Sequence, residues 1–189
     1  MLIVVRHGRT EANASGLLLG RIDPGLDELG RTQAAALGAV VSGASRVVCS
    51  PLRRTRETAE AIGLPVEVDE RWIELDYGVL DGKPMADVPA DLWARWIADP
   101  DFAPEGGESI AALGQRVHAA CEDLAEEAAK TDIVVVTHVS PVKAAVAWTL
   151  GVGDEVAWRM FVAPASITKI STSSPRRSLH SFNQTAHLD

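Results

Sequence analysis

The sequence predicts an α/β fold of three layers, α/β/α, in which helices cover both faces of a mostly parallel central sheet. Three short apolar runs are rich in Val and Ile and do not alternate with polar residues, as is typical of parallel strands buried on both faces. Helical patterns separate these runs, and strands that alternate with helices indicate such a layered sheet. The length of 189 residues suits one domain, and we expect residues 1–189 to form it.

The predicted strands begin at the N-terminus. The apolar runs are LIVV at 2–5, RVVCS at 46–50 and DIVVVT at 132–137. Near the C-terminus, ASITKIS at 165–171 and SLHSF at 178–182 alternate apolar and polar residues, as edge or near-edge strands do. Since an edge strand can pair with a second copy of the chain, the sequence leaves a homodimer open.

Helical patterns fill most of the chain between the strands. They cover 27–41 with Asp27 as N-cap, 50–63 with Ser50 as N-cap and Pro51 in the first turn, 90–98, 108–130, and 140–151 ending at Gly151. Residues 81–107 contain four prolines and are irregular apart from the short helix at 90–98. We expect this segment to be a small insertion that overlies the functional site.

Charge and cysteine content narrow the class of protein. The net charge of −8 argues against binding to nucleic acid or to an anionic membrane, which needs a basic face. No apolar run is long enough to span a membrane, and Arg6 follows too soon for a signal peptide. Cys49 and Cys121 lie in strand-like and helical patterns and are expected to be free thiols, which suits a cytoplasmic protein.

Each predicted parallel strand is followed by polar residues, in RHG, SPLRR and THVSP. In an open α/β sheet, ligands bind beyond the carboxyl ends of the strands, so Arg6, His7, Arg54 and His138 should converge there. Helix N-termini favour an anion, and the guanidinium group matches phosphate oxygens. The residues therefore predict a phosphate site.

A histidine held among arginines resists protonation, and a neutral imidazole can attack phosphorus and carry the phosphoryl group. By this reasoning His7 is the nucleophile, while the arginines and His138 offset charge on the transferring group. The leaving alkoxide needs a proton from a nearby carboxyl, and Glu74 in ERWIELDYG is our choice. The prediction includes no cofactor and no metal.

Four ordered motifs, RHGRTEAN, SPLRRTRETA, WIELDYG and VVTHVSP, resemble those of the histidine phosphatase superfamily, the phosphoglycerate-mutase-like clan. The resemblance covers nearly the whole chain and includes GRIDPGLDELGRTQA and PEGGES. It implies a phosphoglycerate-mutase-like fold and a metal-independent phosphomonoesterase that hydrolyses a small phosphorylated metabolite through a phosphohistidine. THVSPVK, RMFVAPASITKI and FNQT most resemble α-ribazole phosphatases and actinobacterial acid phosphatase domains.

The resemblance also assigns roles by position in the motifs. They are the phosphorylated nucleophile for His7, the proton donor for Glu74, and phosphate contacts for Arg6, Thr10, Asn13, Arg54 and His138. Two residues depart from the family pattern. Val139 replaces a common Gly, although its backbone N–H can still bind phosphate, and Leu19 replaces a common polar residue.

Other interpretations of the same residues stay open. The chain could be a phosphoglycerate mutase, although mutases tend to have a longer insertion and tail, or a phosphate-binding module without activity. A metal site of His7, Glu74, Asp76 and His138 is disfavoured, because the arginines repel a cation and the spacing fits no metal motif.

Several further residues are expected to be structural. These are the histidines His118, His180 and His187, the solvated Arg53 and Arg56, and the packing residues Trp93 and Trp96, which could also line the substrate site.

Overall fold

The computed structural model describes residues 1–173 and 176–189. In this part of the chain a six-stranded sheet has the order β3-β2-β4-β1-β5-β6. The strands are β1 Leu2–Arg6, β2 Arg46–Cys49, β3 Val66–Val68, β4 Ile133–Thr137, β5 Ile167–Ser171 and β6 Ser178–Gln184. The first four strands in the sheet order are parallel to one another, whereas β5 is antiparallel to β1 and β6 is antiparallel to β5. The mostly parallel sheet is confirmed.

Residues at the helix ends explain where several of the helices begin and end. They are α1 Glu11–Ala14, α2 Glu28–Val41, α3 Arg53–Glu60, α4 Ala90–Ala98, α5 Ile110–Ala128 and α6 Val139–Leu150. The Asp27 side chain accepts a hydrogen bond from the backbone N–H of Gly30, 2.7 Å away, which confirms it as the N-cap of α2. Gly151 ends α6 in the left-handed conformation, with φ of 66°.

Two hydrophobic clusters sandwich the sheet. On one face, side chains of β1 and β4 such as Leu2 and Val135 pack with residues of α5 and α6. On the other face, Val5 and Val136 pack with residues of α2 and α3. Burying one such side chain contributes roughly 1.5–3 kcal/mol, so both faces stabilise the sheet. The three-layer fold class is confirmed, and double coverage explains why the apolar runs do not alternate.

Some predicted boundaries were wrong. Helix α3 begins at Arg53 rather than at the Ser50-Pro51 pair, and Ser50 does not cap it. Helix α6 begins at Val139, with His138 in the N-cap position, so Pro141 lies in its first turn. Strand β3 was not predicted at all. None of the described helices is both long and apolar enough to cross a membrane.

Candidate active site

The carboxyl ends of β1, β4 and β2 are neighbours, so the residues that follow them meet at one edge of the sheet. Arg6 ends β1 and His7 follows it, His138 follows β4, and Arg54 lies in the first turn of α3 after β2. All four side chains are buried, Arg54 and His138 completely. The predicted convergence of these residues is present in the structure.

His7 is held as a neutral ring with one nitrogen free. Its Nδ1 lies 2.7 Å from the carbonyl oxygen of Gly8, and since a carbonyl only accepts, Nδ1 carries the proton. Burial lowers the pKa of His7 well below its ordinary value of 6.5, and the charges of Arg54 and Arg6 lower it further. Nε2 therefore keeps its lone pair, as a nucleophile requires.

His138 is also neutral in the ligand-free protein. Nε of Arg54 donates to its Nδ1 at 3.2 Å, so its Nε2 carries the proton and donates to Oγ of Ser50 at 2.7 Å. Burial and then the charge of Arg54 lower the pKa of His138 well below its ordinary value. Its ring centroid lies 5.1 Å from that of His7.

The Arg6 guanidinium has an unused donor. Nη1 donates to the carbonyl oxygen of Val162 at 2.7 Å. Among the described residues, no hydrogen-bond partner reaches its buried Nε. Burial lowers the pKa of Arg6 to about 10, which leaves it charged at neutral pH. A buried donor without a partner costs free energy, and because Arg6 lines the cavity, an acceptor bound there could remove that cost.

The Arg54 guanidinium is oriented by a main-chain loop. Its Nη1 and Nη2 donate to the carbonyl oxygens of Ile22 and Gly20, both at 2.8 Å. The Asp81 carboxylate holds that loop by accepting hydrogen bonds from the backbone N–H groups of Gly20, Arg21 and Ile22, at 2.7, 2.8 and 2.9 Å. Nε donates to His138, and Nη2 also lies 3.5 Å from the carbonyl oxygen of Leu19, so four of its five N–H groups have acceptors.

Glu74 is buried at the N-terminus of α6. Its Oε1 accepts from the backbone N–H of Ser140 at 3.1 Å and of Leu75 at 2.8 Å, and its Oε2 accepts from Val139 at 3.1 Å. The helix dipole favours a carboxylate at this end. The Val139 N–H that we expected to bind phosphate is therefore engaged by Glu74 in the ligand-free protein.

Thr10 and Asn13 cap the short helix α1 together. The Thr10 hydroxyl donates to Oδ1 of Asn13 at 3.0 Å, and the backbone N–H of Asn13 donates back to it at 3.2 Å. Thr10 is fully buried, and Asn13 reaches the wall of the cavity. The structure thus places Asn13 where it can contact a ligand and gives Thr10 a supporting position.

A cavity of about 430 Å³ opens beside these residues. Its polar end is formed by Arg6, His7, Glu74 and Val139, whereas Arg54 and His138 are not among the residues that line it. The outer wall is mostly apolar, and its side chains include Leu17, Leu19, Met85, Trp93, Trp96, Trp158 and Phe161. Residues 81–107 thus supply part of this wall, through the irregular stretch and helix α4.

The remaining predicted residues lie away from the reacting groups. Asp76 accepts from the backbone N–H of Gly78, and His118 lies 3.2 Å from Asp154. Arg53 is exposed and paired with a neighbouring glutamate on α3. Both thiols are free and buried, as predicted. Across the described residues, no three His, Cys, Asp or Glu side chains are grouped to hold a metal ion.

Three supporting residues were missed from the sequence. Ser50 contacts His138, Asp81 holds the loop around Arg54, and Arg116 holds the segment before Glu74. Nη1 of Arg116 donates to the carbonyl oxygen of Ile73 at 2.7 Å, and Nη2 donates to that of Glu74 at 3.2 Å. Ser50 could have been found through its place in the SPLRR motif, whereas Asp81 and Arg116 carry no such pattern.

Comparison with known proteins decides the family. The model of the histidine phosphatase superfamily (branch 1) matches residues 2–185. This chain belongs to that superfamily. The resemblance inferred from the four motifs is thereby confirmed.

Relatives of this superfamily member include phosphatases and mutases. Phosphoserine phosphatase 1 of Hydrogenobacter thermophilus is 34% identical over 198 residues, covering 99% of this chain and 93% of that protein. A probable phosphoglycerate mutase of Yersinia enterocolitica is 30% identical to this chain, and the alignment covers 100% of this chain and 94% of the Yersinia protein. The structure of a mycobacterial glucosyl-3-phosphoglycerate phosphatase superposes with a TM-score of 0.87 at 30% identity, covering 97% and 99% of the two chains.

The chain spans only about half, 54%, of the length of the mycobacterial relatives that it matches at 31% identity.

Proposed function

We propose that this superfamily member is a metal-independent phosphomonoesterase that works through a phosphohistidine at His7. The observation that carries the proposal is the hydrogen bond from Nδ1 of His7 to the carbonyl oxygen of Gly8, which leaves Nε2 unprotonated. Nε2 is also free of hydrogen-bond partners among the described residues. The unpaired Nε of Arg6 in the same pocket supplies a donor for the phosphate.

In the first step, the lone pair of His7 Nε2 attacks phosphorus and forms the N–P bond. The P–O bond to the alcohol breaks, and Glu74, in its protonated form, gives its proton to the leaving oxygen. Arg6 and Arg54 offset the negative charge on the equatorial oxygens. The donor nitrogen of His138 can join them once it leaves the Ser50 hydroxyl.

In the second step, water attacks the phosphorus of the phosphohistidine. The Glu74 carboxylate takes the proton of that water, the N–P bond breaks, and neutral His7 and inorganic phosphate are released. The position of Glu74 supports this double role, because main-chain N–H groups of α6 hold its carboxyl group beside the cavity that His7 lines. Neither step needs a metal or a cofactor.

For the substrate we propose a small phosphorylated metabolite. The names of the relatives point to phosphoserine and to glucosyl-3-phosphoglycerate, while the sequence motifs point to α-ribazole phosphate. Free, buried thiols support a cytoplasmic setting for this activity.

A phosphoglycerate mutase is the second candidate, supported by the similarity to the Yersinia protein. A mutase would return the phosphoryl group to another hydroxyl and exclude water from the phosphohistidine. Incubation with 3-phosphoglycerate and a trace of the bisphosphate separates the two, because a mutase yields the isomer and a phosphatase yields free phosphate.

The test of the proposal is phosphate release from p-nitrophenyl phosphate in the presence of a chelator. We expect release by the wild type and by H180A, in which an exposed histidine is replaced, and none by H7A. Release that survives in H7A would contradict the proposal. Tight phosphate binding with no turnover of any ester would favour a binding module.

A further inference from the structure

We propose that the site selects phosphomonoesters of a bulky apolar or aromatic alcohol that carries a carboxylate, and that Lys143 binds this carboxylate. The inference deepens the proposed function and rests on it, because it takes Arg6, His7 and Arg54 as the phosphate site.

The size of the cavity indicates a large alcohol. A volume of about 430 Å³ lies within the range of pockets that enclose drug-sized ligands. Beyond the phosphate end, most of the lining side chains are hydrocarbon or aromatic, with Trp158 edge-on to Trp93 at a centroid distance of 5.9 Å. Phe161 and Met85 are exposed at 72% and 50%, although they are large and apolar. An apolar or aromatic group would cover these surfaces and remove them from water.

Lys143 is the cation of this cavity that the phosphate site does not use. It lies on α6 four residues after Val139, so the two share one face of the helix and are one turn apart. Its side chain is half-buried, and burial lowers its pKa while the nearby Glu74 opposes the shift. Among the described residues, none accepts a hydrogen bond from its Nζ or places a carboxylate within 4.0 Å of it. Partial burial of an ammonium that has no ion-pair partner is unfavourable, and a ligand carboxylate would offset that cost.

Charge balance leads to the same ligand. In the proposed reaction Glu74 is protonated when the ester binds, and His7 and His138 are neutral. Two cations that line the cavity, Arg6 and Lys143, together with the buried Arg54 behind them, then balance a phosphate dianion. One positive charge is left over, and a single carboxylate on the alcohol would neutralise it. Since one helical turn rises about 5.4 Å, the carboxylate should lie a few bonds from the ester oxygen.

Binding of phosphonates, which cannot be hydrolysed by this reaction, tests the inference without turnover. Isothermal titration calorimetry would compare methylphosphonate, phenylphosphonate and 3-carboxyphenylphosphonate on the wild type, K143M and K130M. Lys130 is a matched control, because it is an exposed lysine at the end of α5, paired with Glu126.

We expect the wild type to bind phenylphosphonate more tightly than methylphosphonate. It should bind 3-carboxyphenylphosphonate more tightly again, by about tenfold, because of the added carboxylate. K143M should lose the second increase and keep the first, and K130M should keep both. Equal weakening of all three ligands by K143M would contradict the inference and show that Lys143 binds the phosphate. If phenylphosphonate binds the wild type no more tightly than methylphosphonate, the proposed preference for an apolar or aromatic alcohol is wrong.

The two experiments together distinguish a failure of the proposed function from a failure of this inference. If p-nitrophenyl phosphate is not hydrolysed and the carboxylate preference still depends on Lys143, the binding inference stands and the phosphatase mechanism falls. If hydrolysis proceeds and the preference is the same in K143M, the mechanism stands and the inference falls.

Discussion

The backbone N–H of Ser140 donates to Oε1 of Glu74 at 3.1 Å, which fixes the carboxyl group to the first turn of α6. The same helix has His138 at its N-cap position, so one element positions both the acid and a residue of the phosphate pocket. The spacing between the proposed proton donor and the proposed phosphate site is thereby set by the main chain rather than by flexible side chains. Each functional group of the site depends on such a partner, and these partners can be tested.

Replacing Glu74 by Gln keeps the side chain's size but removes the proton that the leaving alcohol needs. We expect E74Q to lower kcat/KM for an unactivated alkyl phosphate by about 100-fold or more, and that for p-nitrophenyl phosphate much less, because nitrophenolate leaves without a proton. Steady-state kinetics with both esters measures this, and E126Q, at an exposed position, is the control. Equal losses on the two esters would mean that Glu74 is not the acid.

Arg116 should act on catalysis through Glu74, since it donates to the carbonyl oxygens of Ile73 and Glu74. The ammonium of R116K cannot make this set of hydrogen bonds, so the carboxyl should shift. We expect about a tenfold loss of kcat on alkyl phosphates with a smaller loss on p-nitrophenyl phosphate. A loss that is identical for both esters, or that disappears at lower temperature, would indicate a stability effect only.

Asp81 should control phosphate affinity through the loop that orients Arg54. In D81N one of the two oxygens that accept from the main-chain N–H groups of residues 20–22 becomes an amide NH2 group, which donates and cannot accept. We expect the affinity for inorganic phosphate to fall about fivefold or more and the melting temperature to drop by several degrees. Calorimetry and thermal unfolding measure the two effects, with D91N, at an exposed position, as control. Unchanged phosphate affinity in D81N would show that the loop does not position Arg54.

The histidines should titrate at different pH values. The pKa values of His7 and His138 are lowered by burial and by Arg54, whereas the pKa of His118 is raised by its hydrogen bond to Asp154. At pH 6.5 the ring of His118 should therefore be charged while the other two are neutral. NMR titration of the ring protons, assigned with H7A and H118Q, measures this. A midpoint for His7 at or above pH 6.5 would contradict the neutral nucleophile.

The same shifts predict how stability depends on pH. As the pH falls below about 6.5, the unfolded chain binds protons at His7 and His138 that the folded protein does not, so the free energy of unfolding decreases. Each residue should contribute about 1.4 kcal/mol per pH unit in that window. His118 acts in the opposite direction, because its stabilisation is complete below pH 6.5 and is lost as the pH rises through its raised folded pKa. Urea unfolding at several pH values, with H7A as comparison, measures the slopes.

Patterns of buried residues made most of the fold predictable. The strands β1, β2 and β4 are continuous apolar runs because both of their faces are covered, and the residues after them meet because parallel strands end at one edge. Strand β3 escaped prediction, since Val66–Val68 is short, mostly exposed, and joined to β2 by backbone hydrogen bonds that leave no side-chain pattern.

The supporting residues of the site could not be predicted for a related reason. Ser50 followed by Pro51 has the appearance of a helix cap, but its hydroxyl binds a histidine 88 positions away along the chain. Arg116 lies in an amphipathic helix, where a charged residue is typical of the solvent face, and only the folded chain shows the carbonyl groups that it binds. Hydrogen bonds between residues that lie far apart along the chain do not produce a periodic pattern in the sequence.

In the proposed mechanism, His7 carries the phosphoryl group between the two steps. The most direct measurement is rapid quenching of the protein at alkaline pH, during turnover of a good ester, followed by peptide mass spectrometry, since a phosphohistidine survives base and is lost in acid. We predict one phosphoryl group on the peptide that contains His7, formed and consumed as fast as the ester is hydrolysed, and absent from H7A. Sustained turnover with no phosphorylated His7, or a phosphoryl group that persists in H7A, would contradict the account.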